Sequence, residues 1–286
     1  MTWTLTDDMD TYLTRAGDYL RAQPVEHTVE LTALETMRAR GPQAYGSTPP
    51  LFGWCTAPAG DSPAGDIAAA FFHTPPYPAL LSGGPDAAAS LAVELGRRGR
   101  ELAGVNGPAD SAISFSSEWV RQSGVSSSVR RRSRLFRLGQ LAVPEPAPSG
   151  AARVAGPDDA ELLAGWFDAF ADEADQREGD ARQLAEDRLS HRGLTVWETG
   201  GIAVAMAGQT RPAAGVIRIG PVYTPAEHRR RGYGGAATVA VSQAALASGA
   251  TVVLFTDLAN PTSNALYVRL GYRPVTDRLQ MTFGTG

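Results

Sequence analysis

The feature that most constrains the fold of this chain is a predicted strand that leads into a glycine-rich turn and then into a long alanine-rich helix. The end of the strand, the turn and the start of the helix occupy residues 222–236, with the sequence VYTPAEHRRRGYGGA. Glycine lets a ligand approach the backbone closely, and the first N–H groups of a helix have no acceptor within it. The helix dipole is positive at this end, and three arginines, Arg229 to Arg231, strengthen that field. The sequence therefore predicts a phosphate-binding turn.

The spacing of this turn excludes two common nucleotide-binding motifs. The pattern Arg229-x-x-Gly232-x-Gly234 lacks the third glycine and the later acidic residue of a Rossmann dinucleotide-binding turn. It also lacks the Gly-Lys-Ser/Thr ending of a Walker loop.

The turn instead resembles the pyrophosphate-binding motif of the GNAT acyltransferases, in which backbone amides hold the pyrophosphate of acetyl-CoA. Residues 260–272, with the sequence NPTSNALYVRLGY, are similar to a second signature of that family. This signature has an asparagine-rich helix start, a Leu-Tyr pair and a Leu-Gly-aromatic ending. The resemblance implies an α/β (α+β) protein with the GNAT fold, in which helices flank a mixed central sheet with splayed strands.

Length and composition indicate a protein with two domains. The chain has 286 residues, of which 43% are hydrophobic, and this is enough to fill two cores. Its formal charge of -4 favours no nucleic-acid partner, and no apolar run is long enough to span a membrane. The first residues do not form a signal peptide, so we expect a cytoplasmic protein. A lone cysteine and four scattered histidines predict no metal site.

Proline and glycine concentrate between residues 141 and 157, which indicates a linker or an exposed strand and a domain boundary near residue 148. The pattern after this boundary predicts a strand, two helices, three strands, a helix, a strand, a helix and a final strand pair. This is the GNAT order. We expect residues 149–286 to form the catalytic domain that binds acyl-CoA.

The first half shows a fainter form of this order, with helices before residue 41, three strands, a helix, a short apolar segment and a further helix, which predicts two tandem copies of the fold. Residues 83–86, with the sequence GGPD, stand where the arginine–glycine turn would be. An aspartate at a helix start opposes phosphate binding. We therefore expect residues 1–148 to be a degenerate GNAT-like domain without cofactor that shapes the acceptor site.

The strand before the turn contains Pro221, which has no N–H and is expected to interrupt pairing, often at a bulge. The alternative is a simple strand end before a loop. In the family, the pantetheine arm of the cofactor enters a gap between splayed strands at this place. Val222 and Thr224 occupy the matching positions, and the resemblance implies that a backbone N–H of this strand stabilises the oxyanion.

The resemblance assigns Tyr267 as the acid that protonates the departing sulfur. A phenol with a pKa of about 10 stays protonated at neutral pH, and a thiolate of pKa about 8.5 needs only a weak acid. The alternative is an aromatic side chain that packs on the core. The resemblance also implies that Asn264 contacts the pantetheine arm, while Asn260 caps the helix, contacts the cofactor, or does both.

A general base is harder to identify, because the strand before the turn has no carboxylate where many family members carry one. Asp257, at the end of a later strand, is the first candidate, and Glu198 and His228 are weaker ones. A water relay or an acceptor amine of low pKa would remove the need for a base. Acidic residues between the first two helices of the second half, from Asp168 to Asp180, fit either attraction of a cationic amine or a solvated loop.

The predicted cofactor-binding residues lie on the strand end, the turn or the asparagine-rich helix: Val222, Thr224, Arg229, Arg230, Arg231, Gly232, Tyr233, Gly234, Gly235, Asn260 and Asn264. The predicted function is N-acyl transfer from acetyl-CoA to a primary amine of a small molecule. Two alternatives stay open. The donor is an acyl carrier protein or a larger acyl-CoA, or the protein is a non-catalytic sensor that binds acyl-CoA.

Overall fold

The structure is a computed structural model that describes residues 1–57, 66–175 and 180–284. The chain divides into two compact units. Unit 1 consists of Met1–Leu135, Asp257–Ala259 and Thr276–Gly286, and unit 2 consists of Phe136–Thr256 and Asn260–Val275. No helix among the described residues is both long and apolar enough to cross a membrane.

The two halves of the chain have the same order of elements. The first half contains β1 (Thr2–Thr6), α1 (Met9–Ala22), α2 (Thr28–Arg40), β2 (Leu51–Thr56), β3 (Ile67–His73), β4 (Ala79–Gly83), α3 (Pro85–Arg97), β5 (Gly104–Pro108), α4 (Ala109–Ser123) and β6 (Ser126–Leu138). The second half contains β7 (Ala151–Val154), α5 (Ala160–Glu173), α6 (Ala181–Ser190), β8 (Leu194–Thr199), β9 (Ile202–Gln209), β10 (Val216–Tyr223), α7 (Tyr233–Ala247), β11 (Thr251–Asp257), α8 (Pro261–Arg269) and β12 (Tyr272–Gly284). Both read strand, two helices, three strands, helix, strand, helix, strand.

The sheet of unit 1 has the strand order β1-β2-β3-β4-β5-β12-β6, to which β6 and β12 contribute the residues that belong to this unit. The pair β4–β5 is parallel, and α3 provides the crossover that a parallel pair requires. Leu91 and Leu95 of α3 and Phe115 of α4 are fully buried in the core beside Phe71 of β3.

The last strand is part of the interior of unit 1. It pairs antiparallel with β5 from Arg278 opposite Pro108 to Thr282 opposite Gly104. The Arg278 guanidinium donates to Glu30 on α2 at 2.9 Å, and the two residues are only 4% and 2% exposed. Arg278 also donates to the side-chain oxygen of Asn106 at 3.3 Å. A buried ion pair thus joins the last strand to the second helix of the chain.

The sheet of unit 2 has the order β12-β6-β11-β10-β9-β8-β7, with the unit 2 ends of β12 and β6. The pair β10–β11 is parallel, and α7 provides its crossover. A core that includes Val239, Val241 and Tyr272 forms with α7 and α8, and a second core that includes Trp166 and Phe167 forms with α5 and α6. The sheet is therefore packed against helices through two separate cores.

Several sequence predictions about these elements are tested directly. The glycine pair Gly200-Gly201 between two strand patterns predicts a hairpin, and this is confirmed, since these two glycines, with φ of 58° and 75°, join β8 and β9. The predicted final strand pair is wrong, because β12 is one continuous strand. The sequence interpretation missed β1, whose five residues have no turn signal ahead of them. In the proline-rich segment, β7 is a short strand with exposed side chains.

Gly271, in the Leu-Gly-aromatic ending, is expected to be intolerant of a side chain. Its φ is 97°, and a β-carbon there would overlap the backbone carbonyl of Gln140. We expect Gly271→Ala to lower the free energy of unfolding by about 2–3 kcal/mol, of which about 1–2 kcal/mol is the cost of the left-handed conformation and the rest is the clash.

The matched control is Gly249→Ala. Gly249 has a φ of 81° but no atom within 4 Å of the added carbon, so only the conformational cost applies. Urea denaturation of both variants measures the difference, and equal losses would show that the clash with Gln140 is relieved without cost.

Candidate active site

The helix α7 begins with a cluster of backbone N–H groups that have no acceptor in the described ranges. Gly232 is the N-cap residue, with a φ of 83°, and the first bond of the helix runs from the Ala236 N–H to the Gly232 carbonyl at 3.0 Å. Among the described residues, the backbone N–H groups of residues 230–235 donate to no protein atom. We call residues 224–235 the anion-binding turn after the role that the sequence predicts for them, and their donors lie at the positive end of the helix dipole.

The three arginines of the turn are in different situations. Arg230 and Arg231 are exposed, and neither forms an ion pair within the part of the chain that the structure describes. Arg230 has a φ of 63°, which is rare for a residue other than glycine. Arg229 is instead bound by protein groups, since it donates to the Thr224 carbonyl at 2.8 Å and to Glu173 at 2.6 Å.

Two glycines allow the start of α7 to lie against its neighbours. A β-carbon at Gly234 would come within 3.0 Å of the Thr224 hydroxyl, and one at Gly235 would come within 3.3 Å of the Leu266 side chain on α8. The side chain of Tyr233 is buried in the core, so its backbone N–H is the group that the turn presents. The turn is thus held between the end of β10 and α8.

The strand β10 separates from β11 before it reaches the turn. The parallel pairing runs from Val216 opposite Thr251 to Ile219 opposite Leu254 and goes no further. Against β9, the register of β10 shifts between Ile219 and Val222, which confirms the predicted interruption at Pro221. Residues Val222 and Thr224 therefore lie where the parallel ladder is open.

The corresponding place in unit 1 is filled. Pairing of β4 with β5 also stops early, after Leu80 opposite Asn106. There, however, the Ser111 hydroxyl donates to the Gly83 carbonyl at 2.6 Å. Leu81 also lies close to Gly107, since a β-carbon added to Gly107 would be 2.9 Å from the β-carbon of Leu81. The gap between the strands is closed by side chains.

The helix that follows β4 is also poorly suited to an anion. The N-cap of α3 is Gly84, the first helical residue is Pro85, which has no N–H, and Asp86 lies in the first turn. The start of α3 therefore has one N–H donor fewer and one negative charge, whereas the start of α7 is flanked by the positive charges of Arg230 and Arg231.

The hydroxyl of Tyr267 on α8 has no partner among the residues that the structure describes. The residue is 8% exposed, and its ring packs edge-to-face on Tyr272 at 6.0 Å between centroids. Burial, followed by the nearby Tyr272, raises the pKa of Tyr267 above its ordinary value. Among the described residues, no group forms a hydrogen bond with its hydroxyl. Tyr267 is therefore a protonated donor with no acceptor in the described part of the chain.

Its neighbour Tyr272 is different, because its hydroxyl is satisfied. The Tyr272 and Ser242 oxygens are 2.7 Å apart, and the Ser242 hydroxyl donates to the Thr238 carbonyl at 2.6 Å. Tyr272 is thus the donor to Ser242. Burial raises the pKa of Tyr272 to about 12, while the Ser242 hydroxyl opposes this rise.

The two asparagines organise the start of α8. The Asn260 side chain accepts from the Ser263 N–H at 3.0 Å, so it caps the helix as expected. The Asn264 amide donates to the Asn260 carbonyl at 2.7 Å. A contact of either residue with a cofactor stays a prediction.

The structure gives each candidate base a local environment. Asp257 accepts from the Ala259 N–H at 2.8 Å and lies 3.9 Å from the Arg131 guanidinium. Glu198 is ion-paired with Arg153 at 2.8 Å. His228 is half-buried in the short helical turn after β10. The role of Asp257 as a base stays a prediction.

The structure adds a carboxylate that the sequence interpretation did not single out, Glu173, the last residue of α5. It contacts Arg229 and accepts a hydrogen bond from the Tyr223 hydroxyl at 3.3 Å. The acidic segment from 168 to 180 was the only sequence signal for it. Within that segment, Asp180 caps α6, and Glu178 lies outside the described residues. No group of three or more metal-ligating side chains occurs in the described ranges.

Comparisons with known proteins agree with the fold described above. The FR47-like protein family matches residues 199–280. A search of curated proteins finds no match. Among solved structures, an acetyltransferase from the GNAT family of Colwellia psychrerythraea is 11% identical with a TM-score of 0.58, and the match covers 100% of both chains.

Two other similar structures are GCN5-related N-acetyltransferases. The one from Sphaerobacter thermophilus is 15% identical with a TM-score of 0.56, over 98% of this chain and 95% of the other. The one from Kribbella flavida is 21% identical with a TM-score of 0.52, over 77% and 88%. The chain thus has the GNAT fold along its length and is similar to the FR47-like family over residues 199–280.

Proposed function

We propose that this protein transfers an acetyl group from acetyl-CoA to a primary amine of a small molecule. The observation that carries the proposal is the set of N–H groups at residues 230–235 that donate to no atom of the described residues, next to a parallel strand pair that opens after Ile219. These donors fit a diphosphate, and the open ladder beside Val222 fits an extended arm with amide groups of its own.

The charges of the turn support the same ligand. Arg230 and Arg231 are exposed beside the N–H groups, and a helix N-terminus with nearby guanidinium groups attracts phosphate oxygens. Asn264 and Thr224 would contact the pantetheine arm. Positioning of two reactants in this way supplies at most about 7–11 kcal/mol of the barrier.

In the proposed reaction, the nitrogen of a neutral amine attacks the thioester carbon, the C–N bond forms and the C–S bond breaks. The amine loses a proton to solvent or to a base, and the leaving sulfur gains one. A backbone N–H of the Val222 strand would stabilise the oxyanion.

Tyr267 would act mainly as a hydrogen-bond donor to the leaving sulfur. A thiolate has a pKa of about 8.5, and burial raises the pKa of the Tyr267 phenol above its ordinary value of about 10. Complete transfer of the proton is therefore unfavourable in this environment. A donated hydrogen bond stabilises the negative charge as it develops, and solvent can supply the proton afterwards.

Thiol release tests the proposal. We expect the protein to release free thiol from acetyl-CoA in the presence of an amine from a panel of primary amines, and much more slowly without amine. Calorimetry with CoA tests the binding step by itself. Absence of CoA binding would contradict the proposal.

One observation favours a second candidate, a non-catalytic sensor that binds acyl-CoA. The carboxylates of Asp257 and Glu198 both contact other protein groups, so neither is a clear base. This candidate expects CoA binding without transfer to any amine. A variant of the enzyme proposal, in which an acyl carrier protein or a larger acyl-CoA is the donor, expects transfer from that donor but not from acetyl-CoA.

A further inference from the structure

We infer that Glu173 is a positioning residue for the anion-binding turn: it holds Arg229, and the Arg229 guanidinium serves to fix the turn rather than to bind phosphate. The inference rests on the proposed function for its ligand, acyl-CoA. It assigns the attraction of the diphosphate to the backbone N–H groups and to the other two arginines of the turn.

The Arg229 side chain contacts residues of α5, β10 and the turn itself. Its Nη2 lies 2.6 Å from both carboxylate oxygens of Glu173, and its Nε donates to the Thr224 carbonyl at 2.8 Å. Its guanidinium carbon lies 5.8 Å from the centre of the Tyr223 ring. The Tyr223 hydroxyl in turn donates to Glu173 at 3.3 Å. The Arg229 side chain thus contacts α5, the end of β10 and the first residue of the turn.

These contacts act where the turn needs support. The bond from Arg229 to Thr224 links the two ends of the segment that precedes the unpaired N–H groups. The next residue, Arg230, has a φ of 63°, and such backbone persists only where the surroundings determine it. The helix α7 fixes one side of Arg230, and the Arg229 contacts fix the other.

An exposed ion pair alone contributes little, and the side chains of Arg229 and Glu173 are 41% and 49% exposed. This pair is part of a network, however. Glu173 is at the end of a helix anchored by Trp166, whose ring lies 6.2 Å from that of Tyr223. The carboxylate is therefore presented by a packed element, and less freedom is lost when the pair forms.

Charge balance separates Arg229 from its neighbours. Glu173 neutralises Arg229 and raises its pKa through their hydrogen bond, whereas Arg230 and Arg231 have no acidic partner among the described residues. A neutralised guanidinium adds little to the attraction of a diphosphate. Its removal is thus expected to act through the shape of the turn.

A double-mutant cycle tests this. We expect Glu173→Gln and Arg229→Gln each to weaken CoA binding about five- to tenfold, and the double variant to bind no more weakly than either single one, because the residues act as one unit. The decrease in affinity between 50 and 200 mM salt is expected to match that of the wild type. Calorimetry with CoA measures the affinity and its dependence on salt. The control is Asp168→Asn, which replaces an exposed acidic residue on the same helix.

Two results would overturn the inference. A larger loss for Arg229→Gln than for Glu173→Gln, together with a weaker dependence on salt, would make Arg229 a phosphate ligand. Unchanged or tighter CoA binding in Glu173→Gln would show that Glu173 does not support the turn. In turnover assays we expect the KM for acetyl-CoA to rise while kcat stays within about twofold.

A second measurement does not depend on CoA. In the free protein, the His228 N–H is bonded to the Pro225 carbonyl and the Ala236 N–H to the Gly232 carbonyl. We expect hydrogen exchange at these two amides to be faster in Glu173→Gln and unchanged in Asp168→Asn. Equal exchange in all three proteins would overturn the inference, even if the wild type binds CoA. If CoA does not bind the wild type, the proposed function is contradicted. The hydrogen-exchange comparison would still test whether Glu173 supports the turn.

Discussion

Replacement of Arg278 by methionine is expected to lower the free energy of unfolding by about 3–5 kcal/mol. This is the usual cost of removing one partner of a buried ion pair, because the other charge is left without compensation. The Glu30 carboxylate would keep its buried position on α2 and lose its guanidinium partner, while its second oxygen already has no hydrogen bond within the described structure. Denaturation in urea measures the loss.

A nearby surface pair provides the control. Arg134 and Asp277 are in contact at 2.6 Å in the same unit, but both side chains are nearly 40% exposed. Arg134→Met is expected to cost less than about 1 kcal/mol. In the double variant Arg278→Met/Glu30→Gln, part of the lost stability should return, since the unpaired charge is gone. Similar small losses for Arg278→Met and Arg134→Met would contradict the prediction.

Tyr267→Phe is expected to lower kcat about 100-fold with little change in stability or in CoA binding. Loss of one hydrogen-bond donor to a developing negative charge typically costs about 100- to 1,000-fold, and a water in its place retains part of the effect. The hydroxyl has no partner among the described residues, so its removal breaks no bond, and the ring keeps its contact with Tyr272. Steady-state kinetics and urea denaturation measure the two effects.

The neighbouring tyrosine is the matched control. Tyr272→Phe removes the buried hydrogen bond to Ser242 and is expected to cost about 1 kcal/mol of stability while leaving turnover nearly unchanged. Wild-type turnover of Tyr267→Phe would contradict the prediction and would favour the alternative that Tyr267 only packs on the core.

The pH dependence of turnover follows from the same burial. Tyr267 must be protonated to donate, so activity that depends on it falls as the pH rises through its pKa. Since burial raises that pKa above its ordinary value of about 10, no loss of turnover from Tyr267 is expected below that pH. A loss centred near pH 8 or 9 would have to arise from another group.

The elements that were predicted correctly from the sequence are marked by residues within or next to the element itself. The start of α7 follows from glycine spacing, and the start of α8 follows from Asn260 and Pro261, all within one or two helical turns. The interruption at Pro221 follows from the chemistry of one residue. These signals depend on neighbours in the chain, so a single sequence contains them.

The remaining features depend on contacts between distant residues. Nothing near Arg278 indicates that its strand pairs with β5 or that its guanidinium meets Glu30, 248 residues away. Glu173 and Arg229 are 56 residues apart, and either could have been a solvated charge. The sequence also could not show that Leu81 and Ser111 close the gap in unit 1. Each of these depends on tertiary packing.

The position of β12 has a consequence for biosynthesis. Domains usually fold one after another as a ribosome releases them, but residues 276–284 of unit 1 are translated after all of unit 2. Until β12 is synthesised, the nascent first half therefore leaves the hydrogen-bonding edge of β5 exposed. A chaperone or a shielding intermediate would be of most use to this protein between the synthesis of β5 and that of β12.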